Sequence, residues 1–76
     1  MHFDRITRDP NRLGGQPCIR DLRITVRRAL QAIAVYPDRD DLRREYPELD
    51  DEDLRQALEF AAAQLEDRSI DLPAAS

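Results

Sequence analysis

The sequence predicts a mainly α domain: three helices in a helix-turn-helix-like arrangement behind a short N-terminal β arm. Three observations point there. Apolar residues recur at helical spacing over 26–34 and again over 54–65. Thr25, Asp38 and Asp50 stand where N-caps belong, and Pro37 and Pro47 stand where helices must stop. Residues 5–25 instead carry β-branched side chains broken by Asp-Pro and Gly-Gly. The expected organisation is a β arm and dimerisation segment over 1–25, a three-helix region over 26–66 and an extended C-terminal tail over 67–76, all in one compact domain.

Arg5 to Arg8 reads as extended and ends at Asp9-Pro10-Asn11, because a proline disfavours helix at the residue before it. Gly14-Gly15-Gln16-Pro17 makes a second break and reads as a tight turn; the Gly-Lys-Ser/Thr ending of a phosphate loop is absent. Between it and Thr25, Cys18 to Ile24 alternates imperfectly, which predicts one or two short strands interrupted at Asp21. From Val26 the period changes. Val26, Ala29, Leu30, Ile33 and Ala34 share one helical face, with Thr25 as N-cap and Pro37 as stop. Asp38 caps a second helix of about two turns, Arg39 to Tyr46, which Pro47 stops.

Asp50 caps the third helix with Asp53 at the capping-box position, and Asp51 and Glu52 suit the positive end of the helix dipole. That role accounts for the acidic run better than a metal-dependent nuclease does. Leu54, Ala57, Leu58, Ala61, Ala62 and Leu65 form the stripe expected to face the core, with Phe60 beside it. Beyond it, Ile70 and Leu72 alternate with polar residues as a short strand or an extended peptide does.

Charge divides the chain. Residues 1–28 hold seven of the twelve arginines and three acids, a net +4, whereas residues 29–76 hold five arginines and thirteen acids, a net −8. Such asymmetry suits two binding faces, one for polyanions and one for a different partner. A core of 76 residues supplies roughly 3–5 kcal/mol without a disulfide, a metal or a second subunit. Cys18 is the single cysteine and His2 the single histidine, so oligomerisation is the remaining route to more buried surface. Cys18 itself reads as a small buried side chain. With no apolar run of spanning length and no leader pattern at the N-terminus, a soluble cytoplasmic protein is expected.

The order of Ile6, Asp9-Pro10, Gly14-Gly15-Gln16-Pro17-Cys18-Ile19-Arg20, Arg23-Ile24-Thr25-Val26, Tyr46-Pro47-Glu48-Leu49 and Asp53-Leu54 resembles the family catalogued as domain of unknown function 433. The resemblance spans about residues 5–65, and its most specific part is Gly-Gly-x-Pro-x-Ile-Arg followed by Arg-Ile-x-Val. It implies a homeodomain-like fold with a β arm able to build a dimer, and antitoxins similar to VapB-type proteins that pair with PIN-like toxins. Asp21 stands where the family usually has glycine; glycine there would permit positive φ and aspartate tolerates it at some cost, so the turn is expected to survive.

The residues then divide among roles. Arg20, Arg23, Arg27 and Arg28 are the candidates for DNA contact, the alternative being that they pair with the acids of the third helix. The usual reading surface, Asp51, Glu52, Arg55, Gln56 and Glu59, would set acids against phosphate, so DNA is expected at the arm and the first helix. Ile19, Leu22 and Ile24 are assigned to the dimer interface that the resemblance implies. Leu65, Arg68, Ile70 and Leu72 are assigned to the toxin, with Arg68 approaching an acidic site implied by the family; the alternative is that Ile70 and Leu72 fold back on the third helix. No catalytic residue, metal ligand, cofactor, membrane contact or small-molecule substrate is expected. The functional expectation is a homodimeric antitoxin that occludes a PIN-like ribonuclease and binds operator DNA, or a stand-alone transcriptional regulator.

Overall fold

The computed structural model describes residues 3–11, 13–65 and 73–74. The extended segments of the first 25 residues become three strands, β1 (Ile6–Arg8), β2 (Pro17–Ile19) and β3 (Ile24–Thr25). They form one antiparallel sheet in the order β1-β2-β3, with Ile6 opposite Ile19 and Ile19 opposite Ile24. Three helices follow: α1 (Val26–Val35), α2 (Arg39–Glu45) and α3 (Asp51–Leu65).

Local chemistry sets most boundaries. The Asp9 carboxylate accepts from the Asn11 N–H at 2.9 Å, closing the turn after β1. Leu13, Gly14 and Gly15 then take successive left-handed φ of 49°, 67° and 76°, which two glycines make cheap, and this 3-10 turn delivers Pro17 to the sheet. Thr25 caps α1 by accepting from Arg28 N at 3.0 Å, and Asp38 caps α2 by accepting from Asp40 N at 2.8 Å. In α3 the capping box is reciprocal: Asp53 N donates to Asp50 Oδ1 at 2.8 Å, and Asp50 N donates to Asp53 Oδ2 at 3.1 Å.

The fold class is α+β, which corrects the expectation of a mainly α, homeodomain-like three-helix bundle with an appended arm. The sheet is not an arm. Ile19 of its central strand is fully buried, and Ile6 and Ile24 pack against the same cluster as Val26, Ala29, Ala32, Leu42, Leu49, Leu54 and Ala57. The packed helix pair is α1 with α3, while α2 contributes a single buried side chain, Leu42. A short α2 with one apolar anchor cannot carry half of a helix-turn-helix, so the strands supply the missing layer.

The turn between β2 and β3 forms, with left-handed backbone at Arg20, φ 47°, and Arg23, φ 61°. One local expectation also changes. The α3 stripe is rotated: Asp53, Leu54, Gln56 and Ala57 are buried, whereas Leu58 and Leu65 are 44% and 57% exposed. The cause is the N-terminal segment, which lies along α3 and gives its polar residues partners. Phe3 meets Phe60 edge-on at 5.4 Å, and Gln56 Nε2 donates to Asp4 at 2.6 Å while Gln56 Oε1 accepts from Arg5 N at 2.9 Å. No helix among the described residues is long and apolar enough to cross a membrane.

Candidate functional site

The basic segment separates into two populations of arginine. The sheet register continues past its last regular pair, with Arg20 N donating to Arg5 O at 2.8 Å, so Arg5 and Arg20 are cross-strand neighbours. Like charges so placed repel unless an anion lies between them. Asp53 is that anion. Its carboxylate is fully buried, receives Arg20 side-on through Nε at 3.0 Å and Nη2 at 2.6 Å, and receives Arg5 Nη1 at 2.8 Å. Arg5 Nη1 also reaches both oxygens of Asp50 at 2.9 Å, and Arg20 Nη2 donates to Glu48 O at 3.0 Å.

The electrostatics follow. Burial by itself would push the Asp53 pKa up, but hydrogen bonds from Arg20, the Asp50 backbone N–H and Arg5 outweigh it and leave the carboxyl below its ordinary value. The same contacts raise the Arg5 pKa, through Asp50 and then Asp53, and raise that of Arg20, through Asp53. Arg20 is therefore a positioning cation of the fold and takes the alternative expected for it, pairing with an acid of the third helix through Nε and Nη2.

Arg23, Arg27 and Arg28 behave differently. All three are exposed, and among the described residues none pairs with a carboxylate; Arg28 Nε donates only to Tyr46 Oη, at 3.2 Å. Arg8 joins them, a residue the sequence reading passed over. It lies across the sheet from Pro17, and Pro17 also lines a groove with Arg27. The missed signal was non-local: the β1–β2 register sets residue 8 opposite Pro17.

In the acidic half, three arginines among the described residues pair with four of its acids, which leaves that half acidic. Arg43 pairs with Asp51, Arg44 with Asp41, and Arg55 with both Glu52 and Glu59. Hydrogen bonds from Arg55 first and Gln56 second hold the Glu52 pKa down to about 2. Gln56, expected on the reading surface of the third helix, is 3% exposed and belongs to the interior.

The interface residues also sort out. Ile19, assigned to the dimer interface, is 0% exposed and lies in the chain's own core. Leu22 and Ile24 are half-buried against the protomer's own core. Leu65 closes an apolar groove of about 390 Å³ between the start of α1 and the end of α3, lined by Pro17, Val26, Leu30, Phe60 and Ala61. Arg68, Ile70 and Leu72 lie outside the described residues.

No curated protein and no solved structure matches the chain. A family model does, over residues 6–61, from the start of β1 into the last turns of α3, which takes in the sheet, the Arg20–Asp53 pair and the basic start of α1. With most of its length matched, the chain belongs to the family described as protein of unknown function (DUF433).

Proposed function

We propose that this chain is the antitoxin of a type II toxin-antitoxin pair, similar to VapB-type proteins, that binds and occludes a PIN-like ribonuclease and represses its own operon. It works as a homodimer and by occupancy rather than chemistry. The observation that carries the DNA half of this reading is the partition of arginines: Arg8, Arg23, Arg27 and Arg28 are exposed with no carboxylate among the described residues, while Arg5 and Arg20 are consumed inside the fold. Two-fold repetition of four such cations gives about eight phosphate contacts, enough for tight, salt-dependent binding. The toxin half rests on the family resemblance and on Leu65, which stands at the end of an apolar groove and directly precedes the tail assigned to the partner.

A stand-alone regulator would use the same arginines and leave that groove without an occupant. Co-expression with the product of the adjacent gene separates the two. The antitoxin reading expects a stable complex in which RNA cleavage is suppressed, and isolation of this chain alone would sink it. Gel-shift titration of duplex DNA from upstream of the operon tests the second activity, with specific retardation expected at physiological salt.

A further inference from the structure

Tyr36 and Tyr46 are the only tyrosines of the chain, and both line one cleft of about 510 Å³ between α1 and the end of α2. Their placement has one cause. Each is the C-cap of its helix and precedes a proline, and the backbone N–H of each closes on the helix at 2.8 Å, Tyr36 on Ala32 O and Tyr46 on Leu42 O. A residue before proline is driven out of the helical region, so each helix ends by swinging its ring aside in the same way. Both rings are half-buried and packed on the core cluster, which fixes them while leaving surface toward the cleft.

The rest of the lining is matched to this. Val35 is 67% exposed, an apolar wall of the cleft. Gln31 adds a neutral amide, and among the described residues Arg28 is the single charge that lines the cleft. The bond from Arg28 Nε to Tyr46 Oη, at 3.2 Å, holds the guanidinium beside the ring, with its terminal nitrogens unpaired among the described residues. Aromatic surface, an apolar wall and one cation with free donors suit a planar aromatic ligand that carries an anion.

We propose that this cleft takes an unstacked nucleobase, with Arg28 on the adjoining phosphate, so that the chain binds single-stranded nucleic acid or a nucleotide there. Base stacking on aromatic side chains is sequence-tolerant because every base has a π-face. The volume lies within the range of small-ligand sites. The cleft shares Arg28 with the phosphate-binding face proposed above but goes beyond it, since a paired duplex offers no free base.

The absence of tryptophan makes tyrosine emission a direct reporter of this cleft. The full chain is titrated with an oligothymidylate strand, an abasic strand of equal charge, and thymidine monophosphate. The expected result is quenching by the oligothymidylate and at least a 10-fold preference over the abasic strand. Equal affinity of monophosphate and strand assigns the cleft to a free nucleotide, whereas a strand preference assigns it to single-stranded nucleic acid; either upholds the shared chemistry. Val35→Lys fills the cleft while adding a cation, at an exposed site that folding does not need. It should abolish quenching and the base preference but leave duplex binding within about threefold. Equal, unquenched binding of base-bearing and abasic strands would overturn the proposal, as would tighter oligothymidylate binding by Val35→Lys, or capture of a proline-rich peptide with no response to nucleotides.

Discussion

Arg20 and Arg23 stand at the two ends of one turn, both exposed in part, both with a left-handed backbone at φ 47° and 61°. Arg20 turns inward to the buried carboxylate of Asp53 at 2.6 Å; Arg23 makes no ion pair among the described residues. The same contrast separates Arg5 from Arg8 along β1. A basic segment is thus a poor measure of available charge. What matters is whether an acid from the other half of the chain reaches the guanidinium, and here α3 supplies Asp50 and Asp53 to one side of the sheet only. The inward arginines fasten the N-terminal segment to α3, and the outward ones are left without a carboxylate partner among the described residues, as the polyanion binding proposed above requires.

The largest effect should come from breaking the inward set. Asp53→Asn keeps size and one capping acceptor but leaves two guanidinium groups facing each other without their shared anion. Asp53 is buried while the side chains of Arg5 and Arg20 are 29% and 36% exposed, so its loss costs less than breaking a fully sequestered pair, about 1–3 kcal/mol. A small domain has roughly 0.05–0.15 kcal/mol of stability per residue, so this is a large share, and at about 4–8 °C per kcal/mol the melting temperature should fall by about 5 °C or more. Thermal unfolding followed by circular dichroism measures it, and a fall of under about 3 °C would show that the clasp is ornamental.

Acid should act on the same group. The folded pKa of Asp53 lies below its ordinary value, so the folded state binds fewer protons than the unfolded chain. Its contribution is therefore complete above the unfolded aspartate value of about 4 and is lost as pH falls through the depressed folded value. Urea midpoints measured between about pH 6 and pH 2.5 should drop at the acid end in the wild type and drop less steeply in Asp53→Asn.

Reversing the outward set should leave folding alone. Arg27→Glu with Arg28→Glu is expected to lower duplex affinity at least about 100-fold with a melting temperature within a few degrees of wild type, because neither side chain holds an ion pair among the described residues. Neutral replacement is more informative about mechanism. Arg27→Ala should reduce the slope of log affinity against log salt by about 1 per site, uniformly across DNA sequences. Retained affinity in the double reversal would move the DNA contact elsewhere.

How far the sequence could be read follows from the range of each interaction. Thr25, Asp38 and the Asp50–Asp53 box sit where the caps were expected, and the two prolines stop their helices, since each of these depends on neighbours within four residues. The exposure of Arg27 and Arg28 was legible for the same reason: helical period alone places them opposite Val26 and Leu30. The strands were legible as extended chain, but not their register, and without register neither the sheet's share of the core nor the meeting of Arg5 with Arg20 is visible. Asp53 shows the limit most clearly. Its spacing from Asp50 identifies a cap, and it is one, yet its second role as counterion depends on residues 48 and 33 positions away.

The subtlest prediction returns to the two left-handed arginines. A non-glycine residue at positive φ costs about 1 kcal/mol, which glycine removes, while the added freedom of glycine in the unfolded chain returns part of that gain. Arg23→Gly should therefore raise stability by roughly 0.5 kcal/mol while weakening duplex binding a few-fold through one lost phosphate contact. Arg20→Gly relieves the same backbone conformation but removes the side-on partner of Asp53, so its net effect should be destabilising, with the buried carboxylate left to Arg5. Opposite signs from the same substitution, at two sites with nearly the same backbone, would establish that strain at Arg20 is offset by the fold and strain at Arg23 is maintained for binding. If Arg23→Gly instead lowers stability as Arg20→Gly does, Arg23 holds a contact in the fold and belongs with the inward set.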